Sequence, residues 1–270
     1  MQTYYQCYWN KTSEENIRIL RMFGESEEAV VPEMIAGRAV VEAGDYCFAA
    51  SEHLPAEYGC TVCIYDTEEK TWQEIPADGA DWNTRLVELS GDRLKKLTLP
   101  DNMRKVGNYA FYNCPNLSGT LIIPEGVVSI GTAAFTKTGI EKLELADSVQ
   151  TISAGAFSTC AKLTSVQIGE QGKGKSQLQT IGSKAFNNDT NITYFYIEAC
   201  SADVAIDSNP LTIPAGVAVK FAVTVDGKNI REDEETTLQQ AVDAAAEGNT
   251  TITANKSFIV DGTVTIPSGK

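Results

Sequence analysis

Leu97-Thr98-Leu99-Pro100, followed by Val106-Gly107-Asn108-Tyr109-Ala110-Phe111, is a phrase that this chain writes several times. It returns as Leu121-Ile122-Ile123-Pro124 with Ile130-Gly131-Thr132-Ala133-Ala134-Phe135, then as Leu143-Glu144-Leu145 with Ile152-Ser153-Ala154-Gly155-Ala156-Phe157. A fourth copy reads Val166-Gln167-Ile168 with Ile181-Gly182-Ser183-Lys184-Ala185-Phe186, and a fifth begins at Phe195-Tyr196-Ile197 and stops. Self-similarity at a period of about 20–30 residues signals a solenoid, in which each unit buries its apolar face only against its neighbours.

Each position in the phrase has a physical task. The Leu-x-Leu triplet is the shortest in-out-in strand, and stacked triplets make a parallel sheet along one side of the coil. Pro100 and Pro124 end the pairing because proline offers no N–H. Val106, Ile130, Ile152 and Ile181 return the chain to the core. The glycine after three of them suits a close or left-handed turn, with Ser153 in its place in the fourth. The Ala-Phe pair sets a small residue beside a large one, so Phe111, Phe135, Phe157 and Phe186 are expected to stand in a single file inside the stack. Such side chains are core, and truncating one costs about 3–5 kcal/mol.

The pattern Leu-x-x-Leu-x-Leu-Pro, then Val/Ile-Gly-x-x-Ala-Phe-x-x-Cys-x-x-Leu, best seen from Leu94 to Leu117, resembles the BspA-type leucine-rich repeat of bacterial surface proteins. Val31-Pro32 to Phe48, ending Gly44-Asp45-Tyr46-Cys47-Phe48, resembles the opening repeat of such arrays. The resemblance implies a leucine-rich-repeat solenoid over 17–198, with short turns and 3-10 or helical segments opposite the sheet. Departures are Ser153 in place of glycine, Thr138 and Asp189 where Cys is usual, the blurred zone 49–93, and an insertion from Gly169 to Gln177 that reads as a loop.

Outside the clear repeats the chain is less regular. Residues 1–16 carry no assignment. Ile17 to Phe23 alternates as a half-buried strand, and this first hairpin is expected to shield one end of the stack. Zone 49–93 reads as about two degenerate coils. From Ala199 the phrase is lost, and residues 199–270 are expected to form a small α+β region. It would contain a strand at 217–225, one amphipathic helix at about 237–246, and strands at 251–253, 258–260 and 264–266. Its helix-then-strands order is similar to the entrance of a pectate-lyase-like right-handed β-helix, which implies that the chain is a fragment of a longer protein.

Composition excludes several classes of partner. Lys plus Arg number 22 against 36 Asp plus Glu, for a net charge of -14. Nucleic acid and anionic lipid surfaces are therefore repelled at long range. No apolar run reaches the roughly 20 residues of a membrane span, so no membrane insertion is expected within this chain. Met1-Gln2-Thr3-Tyr4-Tyr5 lacks the basic start and apolar stretch of a secretion signal, leaving an intracellular protein or one whose leader has been trimmed. Seven cysteines leave at least one without an intrachain partner. Cys114 and Cys160 occupy equivalent places two coils apart, roughly 10 Å by strand spacing, beyond the ~7 Å reach of a bridge. They read as buried thiols. Cys60-Thr61-Val62-Cys63 has no second pair at zinc-finger distance and would face its two thiols oppositely on a strand, so no metal site is assigned. His53 has no Ser or Cys partner at motif spacing and reads as a loop residue.

No phosphate loop, nucleophile elbow, zinc-protease helix, EF-hand loop or marked carboxylate pair is present. No catalytic residue and no cofactor is expected. Binding has a clearer location, because the outward positions of each triplet line up: Lys96 and Thr98, Thr120 and Ile122, Lys142 and Glu144, Ser165 and Gln167, Tyr194 and Tyr196. Stacked in register, they form one extended face of mixed polarity, the kind on which repeat proteins hold ligands. Tyr194 and Tyr196 are either platforms for a sugar or protein partner or, as the preferred alternative, pack against the C-terminal segment. The resemblance implies a non-catalytic cell-surface or secreted protein, adhesive toward a host extracellular-matrix or cell-surface protein, a glycan or another cell. The alternative is the glycan-targeting module of a polysaccharide-active β-helix enzyme that continues beyond Lys270, and a third is a structural stalk.

Overall fold

The computed structural model describes residues 4–50, 60–66, 70–75, 86–170 and 176–198, together with the strand backbones at 205–206, 219–221, 223–225, 228–230 and 252–253. The antiparallel strands β1 (Tyr4–Lys11) and β2 (Asn16–Gly24) come first among the described residues, so the unassigned N-terminal segment holds a strand over Tyr4–Lys11. The first coil follows as β3 (Glu28–Val30), β4 (Met34–Ile35) and β5 (Arg38–Ala43). An excursion carries β6 (Thr61–Asp66), β7 (Thr71–Ile75) and β8 (Val87–Glu88).

The clear repeats then alternate a long and a two-residue strand. These are β9 (Lys96–Thr98) and β10 (Lys105–Val106), β11 (Ser118–Ile123) and β12 (Ser129–Ile130), β13 (Gly139–Leu145) and β14 (Thr151–Ile152), β15 (Ser165–Ile168) and β16 (Thr180–Ile181), and β17 (Tyr194–Ile197) and β18 (Ala205–Ile206). The long strands from β11 to β17 pair parallel and in order along one side. The two-residue strands pair parallel along the other, from β5 through β10, β12, β14 and β16 to β18. That second side carries short strands and turns where 3-10 or helical segments are expected. The three-residue 3-10 turn Gly91–Arg93 is the one helical element among the described residues.

Between the two sides lies the file of rings. Phe48, Phe111, Phe135, Phe157 and Phe186 are fully buried and stack nearly parallel, with centroids 4.8, 4.8, 5.3 and 5.3 Å apart in turn. Phe195 closes the file edge-on to Phe186 at 5.0 Å. The spacing is that of neighbouring strands in a sheet, so one ring per coil fills the interior without a gap.

The turn before each ring explains the glycine. Gly107 and Gly131 are needed for close approach rather than for a left-handed backbone: a Cβ on Gly131 would lie 2.6 Å from the Gly107 carbonyl carbon. The left-handed position falls two residues later, at Tyr46, Tyr109, Ala133, Gly155 and Lys184, with φ between 52° and 64°. The displaced glycine of the Ser153 coil, Gly155, occupies this left-handed site.

The N-terminal strands form a cap that imitates one more coil. Ile19 of β2 aligns with Ala43, and its carbonyl accepts from Gly44 N at 2.8 Å, as that of Ala43 accepts from Gly107 N at 2.7 Å. In later coils the turn carbonyls of Thr132, Ala134 and Thr136 accept from Tyr109, Phe111 and Asn113 of the coil before. The first coil has no such predecessor. The buried Arg21 guanidinium instead donates through Nη1 to the carbonyls of Tyr46, Cys47 and Ala49 at 2.9, 3.3 and 2.8 Å, and pairs with Glu88 at 3.3 Å.

Two expectations need correction. Within zone 49–93, β6 and β7 are not degenerate coils: they extend the cap sheet as an antiparallel hairpin on β1, and β8 pairs antiparallel with β2. At the other end the stack does not stop at 198. Strand β18 pairs parallel with β16, and β19 (Val219–Phe221) pairs parallel with β17. Parallel pairing needs only the backbone, so it survives the loss of the Gly-x-x-Ala-Phe letters. Beyond it β20 (Val223–Val225), β21 (Lys228–Ile230) and β22 (Ile252–Thr253) form a three-stranded antiparallel sheet. The helix expected at about 237–246, the strands at 258–260 and 264–266, His53 and most of the 169–177 insertion lie outside the described residues.

Candidate functional site: the outward face of the long strands

The register of the long strands fixes two outward columns. One runs Glu28–Lys96 and then Thr120–Lys142–Ser165–Tyr194; the other runs Val30–Thr98 and then Ile122–Glu144–Gln167–Tyr196. The alternation that turns these side chains outward turns Leu121, Ile123, Leu143, Leu145, Val166 and Ile168 into the core. Lys96, Thr98, Thr120, Ile122, Lys142 and Glu144 are exposed, and Ser165, Gln167 and Tyr194 are partly covered. Ile122 keeps 58% of its surface in water, the most of any large apolar side chain among the described residues.

The face is not one uninterrupted ladder. β3 and β9 form a pair of their own, and β9 meets β11 through the bond from Ser118 N to Lys95 O at 3.2 Å. In the pairing of β11 with β13 the register also shifts between Gly119, at φ 80°, and Thr120, with Glu141 of β13 as the extra residue. The expectation of a single in-register face therefore holds from Thr120 onward and is broken between Thr98 and Thr120.

Two members of the face carry no triplet signature. Glu28 and Val30 lie on the first coil, where the inward pair is Ala29 and Val31 in place of two leucines, and only Val31-Pro32, matching Leu99-Pro100, signals a strand end. Val30 is 51% exposed, and Glu28 meets Lys96 Nζ at 2.7 Å. Both charges are well solvated, so that pair adds little stability and leaves the lysine available to a ligand.

At the far end the two tyrosines differ. Tyr194 is half-buried, and its phenol is pushed above the ordinary value by burial. Tyr196 is buried, and its hydroxyl donates to Glu198 Oε2 at 2.6 Å. The two rings lie nearly parallel with centroids 6.5 Å apart. Tyr196 occupies an outward register position without presenting a surface, since Glu198 on the same side of the strand is also fully buried. The accessible part of the face thus runs from Glu28 to Tyr194.

The thiol column lies inside the stack. Cys114 Sγ donates to the Phe48 carbonyl at 3.3 Å and Cys160 Sγ to that of Phe135 at 3.2 Å. Burial pushes both thiols up to about 12. Thr138 and Asp189 occupy the equivalent place in alternate coils: Thr138 Oγ1 shares a hydrogen bond with Cys160 Sγ at 3.2 Å, and Asp189 Oδ1 accepts from Cys160 N at 2.6 Å. Burial raises the Asp189 carboxyl to about 8 against that hydrogen bond, and its Oδ2 has no partner. Cys63 is buried under Trp9, whereas Cys60 is partly exposed. Among the described residues no three His, Cys, Asp or Glu side chains are grouped to hold a metal ion, and no helix is long and apolar enough to cross a membrane.

Comparison with known proteins agrees with the repeat reading. The family model for the BspA type leucine rich repeat region matches residues 89–206 in six copies. No curated protein matches the chain. Among solved structures, the chain is similar to a leucine rich repeat protein of T. pallidum at 19% identity and TM-score 0.48, covering 79% of this chain and 81% of that one. It is also similar to a leucine rich cell surface protein of Faecalibacterium prausnitzii A2-165 at 20% identity and TM-score 0.46, covering 79% and 48%. A leucine-rich repeat protein of Bacteroides ovatus matches at 14% identity and TM-score 0.25, covering 71% and 54%. The chain thus spans about half the length of the latter two. Residues 89–206, which carry most of the exposed strand face, match the family model of the BspA type leucine rich repeat region.

Proposed function

We propose that this chain is a non-catalytic binding module of a bacterial cell-surface or secreted protein, and that its outward strand face holds a host matrix protein or another cell's surface. The observation that carries the reading is the composition of that face. Exposed Ile122 aligns with Glu144 in one column and lies beside Thr120 and Lys142 of the other, an apolar centre within a polar, mixed-charge surround. A protein hot spot has that form, with an anchor ringed by polar contacts that exclude water. The rigid file of rings behind the strands holds the face in one shape, so little ordering entropy is lost on binding.

Location at a cell surface is supported by the repeat type and by the similarity to a leucine rich cell surface protein. The experiment is a screen of the intact chain against immobilised extracellular-matrix proteins, whole bacterial cells and a glycan array. Retention on a matrix protein or on cells supports the reading. Retention on polysaccharides alone replaces it with glycan targeting.

A further inference from the structure

Cys7 of β1 and Cys63 of β6 are directly opposite each other in an antiparallel pair. Residues so placed project to the same face with Cα atoms about 4.5–5.5 Å apart, inside the roughly 4.4–6.8 Å span of a disulfide. Both side chains are fully buried. They share the core side of the cap with Trp9, whose Nε1 donates to Cys63 Sγ at 3.3 Å from the diagonal position. No bond joins the two sulfurs in this structure. The neighbouring thiols are placed otherwise: Cys60 is three positions from Cys63 on the same extended segment, where side chains face opposite ways, and Cys47 Sγ faces the Ala110 carbonyl at 3.9 Å.

We propose that Cys7 and Cys63 form a cross-strand disulfide when the chain folds in an oxidising compartment, fastening the β6–β7 hairpin to β1. The oxidant is a disulfide, either a small molecule or an oxidoreductase. One cysteine thiolate attacks a sulfur of that disulfide, giving a mixed disulfide and expelling one thiolate. The second cysteine thiolate attacks the protein sulfur of the mixed disulfide, closing the Cys7–Cys63 bond and expelling the other thiolate. The two cysteines lose two electrons, the oxidant is reduced to two thiols, and the two protons pass to them.

Closure precedes packing. In the folded protein burial pushes both thiols up, which suppresses the attacking thiolate. Once β1 and β6 have paired, a reduced pair stays reduced and a closed bond is shielded from reductant. The loop so closed contains β2, Arg21 and the whole first coil, and cross-linking a long loop restricts the unfolded chain most.

The test refolds the reduced full chain in oxidised and reduced glutathione, alkylates free thiols, and maps the digest by mass spectrometry without reduction. The expected product links the Cys7 peptide to the peptide carrying Cys63. The link persists in Cys47→Ser and Cys60→Ser and is lost in Cys63→Ser. Oxidised wild type should melt about 5 °C or more above the reduced form, whereas the Cys7→Ala/Cys63→Ala variant should melt identically with and without reductant. Alkylation of both residues after oxidative refolding, linkage of Cys7 to another cysteine, or equal melting of the two wild-type forms would overturn the proposal.

Discussion

Arg21 Nη1 lies 2.8 Å from the carbonyl oxygen of Ala49, in the place that a backbone N–H of the preceding coil occupies for Thr136. One side chain from the cap thus substitutes for a missing turn, meeting carbonyls of the first coil that would otherwise be buried without donors. Arg21→Met, which keeps the apolar stem, is expected to destabilise the cap and first coil by about 3 kcal/mol or more, since buried acceptors then go unmet. Glu88 also loses its partner. In a stack held by nearest-neighbour contacts the loss should appear at one end. Limited proteolysis should cut the variant near the first coil while the clear repeats stay intact, and an unchanged cleavage pattern would contradict the capping role.

The close turn makes a second prediction from a contrast. Gly131→Ala sets a methyl 2.6 Å from backbone on the adjacent coil, which cannot yield as a side chain can. The expected cost is about 1–3 kcal/mol. Ser153 already carries a Cβ at the equivalent position, and the rings open from 4.8 to 5.3 Å on both sides of its coil. Ser153→Ala should therefore change stability by less than about 0.5 kcal/mol. Urea unfolding of the two variants checks the difference, and equal effects would mean that the glycine is present for another reason.

Asp189 gives stability a pH dependence with a definite sign. Its carboxyl titrates near 4 in the unfolded chain and at about 8 in the folded one. Between those values the folded state holds a proton that the unfolded state has released, so this group's contribution to stability declines as pH rises from about 4 and is fully lost above about 8. Asp189→Asn keeps an oxygen to accept from Cys160 N and removes the titration. The variant should gain on wild type by at least about 1 kcal/mol between pH 5 and pH 9. A constant difference across that range would show that Asp189 is ionised throughout.

Much of this architecture is legible in the letters. The Leu-x-Leu triplets and the Ala-Phe pairs name the strands and the ring file because one physical requirement, burial against the next coil, repeats at fixed spacing. The cap is not legible in that way. Val62-Cys63-Ile64 alternates as a coil strand would, and nothing local says that it pairs antiparallel with Cys7 rather than parallel with a neighbour. Val30 was hidden because its inward neighbours are Ala29 and Val31 rather than the two large residues of a Leu-x-Leu triplet. Tyr196 obeys the outward rule, yet its hydroxyl is held by Glu198 in a buried place. Alternation predicts direction along a strand and says nothing of what later covers that side. The left-handed backbone at Tyr46 and Tyr109 was also unreadable, since tyrosine is an uncommon residue there.

The measurement that bears most directly on the binding account compares Ile122→Glu/Lys142→Glu with Lys137→Glu, a charge change on the exposed turn side of the stack. Each is assayed against the matrix protein or cell surface that retains the wild type. The strand-face variant should lose about tenfold or more in affinity while melting within about 2 °C of wild type, and Lys137→Glu should bind normally. Full affinity in Ile122→Glu/Lys142→Glu, or loss confined to Lys137→Glu, would contradict the account.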